Sequence, residues 1–133
     1  MKALVLVDDN RDHTDLLQLA VRQRGLAMPV RVFDSGNACL AALGEGRFVV
    51  GMVVLDVNMP GLPGAATCRR IQTIEGMAAV PVVMLSSGDC DDDRRRALEA
   101  GAADYLLKPQ DGRGWRDVLD ELMRYWPRDG LPC

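Results

Sequence analysis

At 133 residues the chain suits a single domain with one good core, and 48% hydrophobic with 26% charged residues is ordinary for a soluble globular protein. The net charge of −3 and the lack of a basic stripe argue against general nucleic-acid binding. The N-terminus has one Lys and a short apolar run that ends in two Asp, which is neither a signal peptide nor a membrane span, so the cytoplasm is expected.

In chain order, Ala3 to Val7 reads as a first buried strand, stopping at Asp8-Asp9. Residues 12–24 carry Leu16, Leu17, Leu19, Ala20 and Val21 at helical spacing, with Gly25 as the stop. Val30 to Phe33 is a short second strand, and Asp34-Ser35-Gly36 is a turn and cap before a small helix over 36–44. The Val-rich run 49–55 predicts a third strand, ending at Asp56. After a Pro/Gly-rich loop come a helix over 64–74, a strand over 80–85, a helix over 91–100 closed by Gly101, and a strand over 104–107. The last helix, 112–125, carries Trp115, Val118, Leu119, Leu122 and Met123, spaced to bury one face.

Strands alternating with helices imply an α/β fold with a parallel sheet and right-handed crossovers. Five of each match a flavodoxin-like (βα)5 three-layer sandwich with strand order 2-1-3-4-5, whose switch point lies between strands one and three. Ligands bind outside the carboxyl ends of the strands there. Asp8, Asp9 and Asp56 fall at those ends, as do Ser86-Ser87 and Lys108-Pro109. The four cysteines, Cys39, Cys68, Cys90 and Cys133, are widely spaced and read as small thiols, neither a zinc site nor a disulfide scaffold.

Clustered carboxylates raise one another's pKa, so three at one sheet edge call for a cation or a special task. Hard oxygen ligands at a partly open site favour Mg²⁺, and a metal there would draw in a phosphoryl group. Asp56, alone at the end of the central strand, is the better nucleophile candidate, with Asp8 and Asp9 holding the metal. Lys108 suits a phosphate oxygen, and the Ser86 hydroxyl can donate to another.

These residues resemble the receiver domain of two-component response regulators, including the chemotaxis type. The matching features are Asp8-Asp9, Leu55-Asp56-Val57-Asn58-Met59-Pro60, Ser86 after Pro81 to Leu85, and Gly101 through Lys108-Pro109, in order and each at a strand end. The resemblance covers roughly residues 2 to 125. It implies a receiver domain over 1–126 with a tail over 127–133. It makes Asp56 the phosphoacceptor, Asp9 the direct Mg²⁺ ligand, Asp8 an indirect one, and Asn58 the residue whose backbone carbonyl binds the metal. Ser86, with Ser87 beside it, and Tyr105 form the switch, and Lys108 pairs with phosphate. The Lys108–Pro109 bond is implied to be cis. The implied donor is a sensor histidine kinase or a histidine phosphotransfer protein.

Two departures stand out. The usual acidic residue before the loop glycine is replaced in Leu62-Pro63-Gly64, and Gly88 stands where many relatives carry a polar side chain. Asp8-Asp9-Asn10-Arg11-Asp12 and Tyr125-Trp126 also resemble small stand-alone regulators paired with phytochrome-type kinases, some of which dimerise through the last strand and helix.

Plainer readings apply elsewhere. His13 is expected to be a surface or capping residue, and Asp12 an N-cap or a carboxylate behind the site. Asp91-Asp92-Asp93-Arg94-Arg95-Arg96 reads as a solvated helix start, with a partner surface as the functional alternative. Trp126, if exposed, would mark an interface. No effector domain is seen after the fifth helix, so output is expected through a partner, which the sequence does not identify, or through phosphate relay or oligomerisation. An aspartate-nucleophile phosphatase is the alternative function, suggested by Asp56-Val57-Asn58, although such nucleophiles usually follow the first strand. A flavin or nucleotide binder is disfavoured because Asp8-Asp9-Asn10 would repel phosphate after strand one.

Overall fold

A computed structural model describes residues 1–59, 61–88 and 90–127. Ten elements alternate: β1 (Ala3–Val7), α1 (Arg11–Gln23), β2 (Val30–Phe33), α2 (Gly36–Glu45), β3 (Val50–Asp56), α3 (Gly64–Thr73), β4 (Val82–Ser86), α4 (Asp91–Glu99), β5 (Asp104–Leu107) and α5 (Gly114–Met123). The five strands form one parallel sheet in the order β2-β1-β3-β4-β5, as the alternation predicts.

Every residue of β1, β3 and β4 is buried, because helices cover both faces of the sheet. Side chains alternate between the two faces with the period of two that a strand imposes. Leu4, Leu6, Met52, Val54, Val83 and Leu85 pack with Leu17, Trp115, Leu119 and Leu122 of α1 and α5. Val5, Val7, Val53, Leu55, Val82 and Met84 pack with Cys39, Cys68, Ile71 and Tyr105 on the opposite side. Burial pushes the Cys39 thiol up to about 12 and raises that of Cys68, so both are inert core groups. Cys90 is exposed, and Cys133 lies outside the described residues.

Several boundaries differ from the sequence pattern for identifiable reasons. The first helix begins earlier than expected because Asn10, not Asp12, is its N-cap: Asn10 Oδ1 accepts from the backbone N–H groups of Asp12 (3.0 Å) and His13 (3.4 Å). The fourth strand starts at Val82 rather than Val80, since the Val80 N–H closes a turn onto Met77 O at 3.1 Å and Pro81 has no N–H to give. β3 extends through Asp56 instead of stopping before it. The helical part of the last element is only Gly114–Met123.

Trp126 is buried, not exposed, which removes the argument for an interface at that residue. Its ring lies against Gly51 of β3, where a Cβ would sit 2.7 Å from Trp126 Cη2. Glycine is required there by close approach. Tyr125 Oη donates to Asp104 Oδ2 at 2.6 Å, tying the chain after α5 to the start of β5. The hydrogen bond to Asp104 is the main reason the Tyr125 phenol titrates above its ordinary value. The expected tail over 127–133 lies, apart from Pro127, outside the described residues. Among the described residues no helix is long and apolar enough to cross a membrane.

Candidate phosphoryl and metal site

Strand register assembles the site. Val7 pairs with Leu55, so Asp8, one residue on, comes level with Asp56. Asp56 pairs with Leu85, which puts Ser86 one step further, and Ser86 pairs with Leu107, which puts Lys108 one step beyond that. Four neighbouring strands thus deliver two carboxylates, a hydroxyl and an ammonium to one edge. Oxygens of Asp8, Asp9 and Asp56 all lie within 4.8 Å of one another. Opposing ligands around an octahedral Mg²⁺ stand about 4.2 Å apart, twice a bond of roughly 2.1 Å, so the donor set suits a small hard cation. Asp8 and Asp56 are buried, whereas Asp9 is exposed on the solvent side of the cluster.

The Lys108 ammonium lies among these carboxylates. Nζ is 2.8 Å from Asp8 Oδ2 and 3.2 Å from Asp56 Oδ1, and the side chain is 5% exposed. Burial raises the Asp56 pKa most, and the charge of Asp8 raises it further. Lys108 and the Asn58 N–H, which donates to Asp56 Oδ1 at 3.4 Å, act in the opposite direction. Buried carboxylates held between an anion and a cation cluster at functional sites.

α3 begins directly behind Asp56 because residue 64 is glycine. A Cβ there would sit 2.5 Å from Asp56 O, and the Gly64 N–H bonds Val57 O at 3.2 Å. The altered loop Leu62-Pro63-Gly64 therefore keeps the feature that positions the strand end.

Ser86 and Tyr105 converge on one atom. Ser86 Oγ donates to Gly88 O at 2.9 Å, and Tyr105 Oη donates to the same oxygen at 3.1 Å. Ser86 Oγ also accepts from the Gly88 N–H at 3.2 Å. Tyr105 is 1% exposed and points inward, with the Arg94 guanidinium 5.0 Å over its ring. Within the Asp91–Arg96 run, Arg95 pairs at the surface with Asp92 and Glu99, in keeping with a solvated helix face. Arg94 departs from that reading by reaching across to β5. Asn58 and Ser87 have exposed side chains on the rim.

Two sequence expectations need correction. The peptide bond between Lys108 and Pro109 is trans, since no cis peptide occurs among the described residues. Trans is the intrinsically preferred isomer by roughly 0.5–1 kcal/mol, and with it Lys108 already reaches both Asp8 and Asp56. His13 is neither a free surface group nor a cap. Its Nδ1 is 3.1 Å from Lys108 Nζ and 3.4 Å from Asp8 Oδ2, and its ring stacks on Trp115 with centroids 5.5 Å apart. The signal for it was faint: once Asn10 starts the helix, the Cα–Cβ bond of His13 tilts back toward the helix N-terminus and hence toward Asp8.

Comparison with known proteins agrees with this geometry. A family model described as the response regulator receiver domain matches residues 4–120. The chain is 32% identical to the probable methanogenesis regulatory protein FilR2 of Methanothrix harundinacea over 127 residues, 92% of this chain and 82% of that one. It is 35% identical to the transcriptional regulatory protein AfsQ1 of Streptomyces coelicolor over 130 residues, 98% of this chain, and spans only about half of AfsQ1 (53%). Among solved structures, a phosphorylated cyanobacterial phytochrome response regulator, RcpA, superposes with a TM-score of 0.86 at 21% identity, covering 98% of this chain and 96% of that one.

Proposed function

The chain belongs to the response regulator receiver domain family, and from that premise we propose that Asp56 is its phosphoacceptor, with the other site residues arranged to serve that carboxylate. It is a receiver domain of two-component signalling, a class that takes phosphoryl groups from histidine kinases or phosphotransfer proteins. A carboxylate oxygen of Asp56 attacks the phosphorus of a phosphohistidine. The new P–O bond forms as the P–N bond breaks, and the electron pair of that bond leaves with the donor imidazole. The single observation that carries this reading is Lys108 Nζ bridging Asp8 and Asp56, with Asp9 completing the carboxylate cluster.

Asp8, Asp9, Asp56 and the backbone carbonyl of Asn58 would hold Mg²⁺. Bound there, the ion would neutralise the carboxylates and stabilise charge on the phosphoryl oxygens. Lys108 favours the ionised form of Asp56 before transfer and turns an N–H to a phosphoryl oxygen afterwards. Ser86, with Ser87 beside it on the loop, supplies a hydroxyl once it leaves Gly88 O, and Tyr105 follows through their shared acceptor. Gly88 offers no side chain there, which would let water reach the acyl phosphate more freely.

Residues 1–126 would act as the receiver, in the cytoplasm, with phosphorylation and dephosphorylation of Asp56 as its only chemistry. Output would pass through partner binding, and a homodimer through β5 and α5 finds support in exposed Leu107 at the end of β5. Direct nucleic-acid binding by this domain is not proposed, given its net charge of −3. A phosphatase reading finds no support, since the nucleophile candidate follows the third strand and the matching relatives are regulators.

The test is incubation with acetyl phosphate and Mg²⁺ followed by intact-mass measurement. One phosphoryl adduct is expected on the wild type and none on Asp56→Asn. An adduct that survives Asp56→Asn would overturn the assignment.

A further inference from the structure

We propose that His13 is a positioning residue for Lys108, acting as the uncharged acceptor that keeps the ammonium aimed at Asp56; this rests on the receiver reading above. An ammonium has three N–H donors and no acceptor. Lys108 Nζ has three acceptors around it: Asp8 Oδ2 at 2.8 Å, His13 Nδ1 at 3.1 Å and Asp56 Oδ1 at 3.2 Å. With the side chain 5% exposed, these three partners replace water almost completely. Lys108 can only donate, so the 3.1 Å contact is a hydrogen bond when Nδ1 accepts, with the ring hydrogen on Nε2. Asn10 Nδ2, 3.3 Å from Nε2, competes for the ring's single acceptor, and the charged donor is the stronger of the two.

The three partners are not equivalent once the site works. Asp56 takes the phosphoryl group, and Asp8 belongs to the metal-holding set. His13 does neither. It sits in the first turn of α1, stacked on buried Trp115 with ring planes tilted by 38°, so its nitrogen stays in place while both carboxylates change partners. The remaining Lys108 N–H groups are then directed by one fixed hydrogen bond. A long, rotamer-rich lysine loses most from the removal of such a partner.

The competing account is that His13 merely fills space against Trp115. His13→Phe keeps an aromatic ring there and removes the acceptor. His13→Asn loses the ring but places Oδ1 where Nδ1 was. The readout is the initial rate of Asp56 phosphorylation by acetyl phosphate in Mg²⁺, followed by intact mass, with thermal melts alongside.

We expect His13→Phe to slow labelling about tenfold, the size of losing one hydrogen bond to a charged group. His13→Asn should stay within about threefold of wild type, because the acceptor is retained. In a Lys108→Met background, His13→Phe should have no further effect, as required if it acts through Lys108. A wild-type rate for His13→Phe overturns the proposal. So does a His13→Asn rate as low as that of His13→Phe, or an undiminished His13→Phe effect without Lys108. Failure of the wild type itself to label would overturn the receiver reading, and this inference with it.

Discussion

The Asp56 carboxylate and the Lys108 ammonium lie 3.2 Å apart, one at the end of β3 and the other just beyond β5. Lys108 favours the ionised form of Asp56, but burial and the charge of Asp8 outweigh it and leave the Asp56 pKa raised. A raised carboxylate pKa means that the folded state takes up a proton before the unfolded chain does. Ionised Asp56 therefore weakens the fold, and the penalty fades as pH falls through its folded pKa toward the ordinary value of about 3.9.

It follows that Asp56→Asn should melt higher than wild type at neutral pH in EDTA, by about 3–5 °C for each kcal/mol relieved. The gap should close toward pH 4, where Asp56 carries its own proton. Differential scanning calorimetry across that range checks the sign, and a gap that widened on acidification would refute the account. Mg²⁺ should raise the wild-type midpoint and do so less for Asp56→Asn, since one donor is lost.

Lys108→Met leaves two buried carboxylates facing each other without their cation. The expected loss in EDTA is about 3 kcal/mol, typical of removing one partner of a buried ion pair. Combining it with Asp56→Asn should recover part of that loss, because only one carboxylate is then stranded. Urea unfolding of the single and double variants measures both numbers. An additive double variant would mean that the 3.2 Å contact carries no coupling.

Gly51 and Trp126 form a second coupled pair, far from the site chemistry. Gly51→Ala forces a methyl toward the indole, and overpacking of this kind costs about 1–3 kcal/mol. Trp126→Ala should cost about 3–5 kcal/mol. In the Trp126→Ala background, Gly51→Ala should become neutral or slightly stabilising, since alanine suits a strand better than glycine. Equal penalties for Gly51→Ala in both backgrounds would refute the packing account.

Ser86→Ala removes one of the two hydroxyls on Gly88 O but leaves Asp56, Lys108 and the carboxylate cluster intact. The variant should still accept a phosphoryl group on Asp56. It should lose the phosphorylation-linked change in amide hydrogen exchange over residues 86–94 and 104–107. A variant that labels and still shows that change would remove Ser86 from the switch.

Most of the fold was legible because its signals are local. Short Val-rich runs, helical stripes and Gly or Pro punctuation give ten elements, and their alternation restricts the sheet to few topologies. The same runs end at Asp8, Asp56, Ser86 and Lys108, so those candidates could be named before any contact was known. Where local signals failed, a distant partner had decided. Trp126 is buried because Gly51 leaves room for its ring against β3.

The chain by itself determined which residues stand at the strand ends and which chemistry they suit, since strand periodicity and residue type are properties of short segments. Only the tertiary structure decided the wiring between them. It brought Lys108 onto Asp8 across 100 positions of chain, set His13 beside both, directed Ser86 and Tyr105 to one carbonyl, and left Pro109 trans. The physical reason is register: neighbouring strands align by hydrogen bonds that no single segment encodes, and side-chain directions at the sheet edge follow from that alignment.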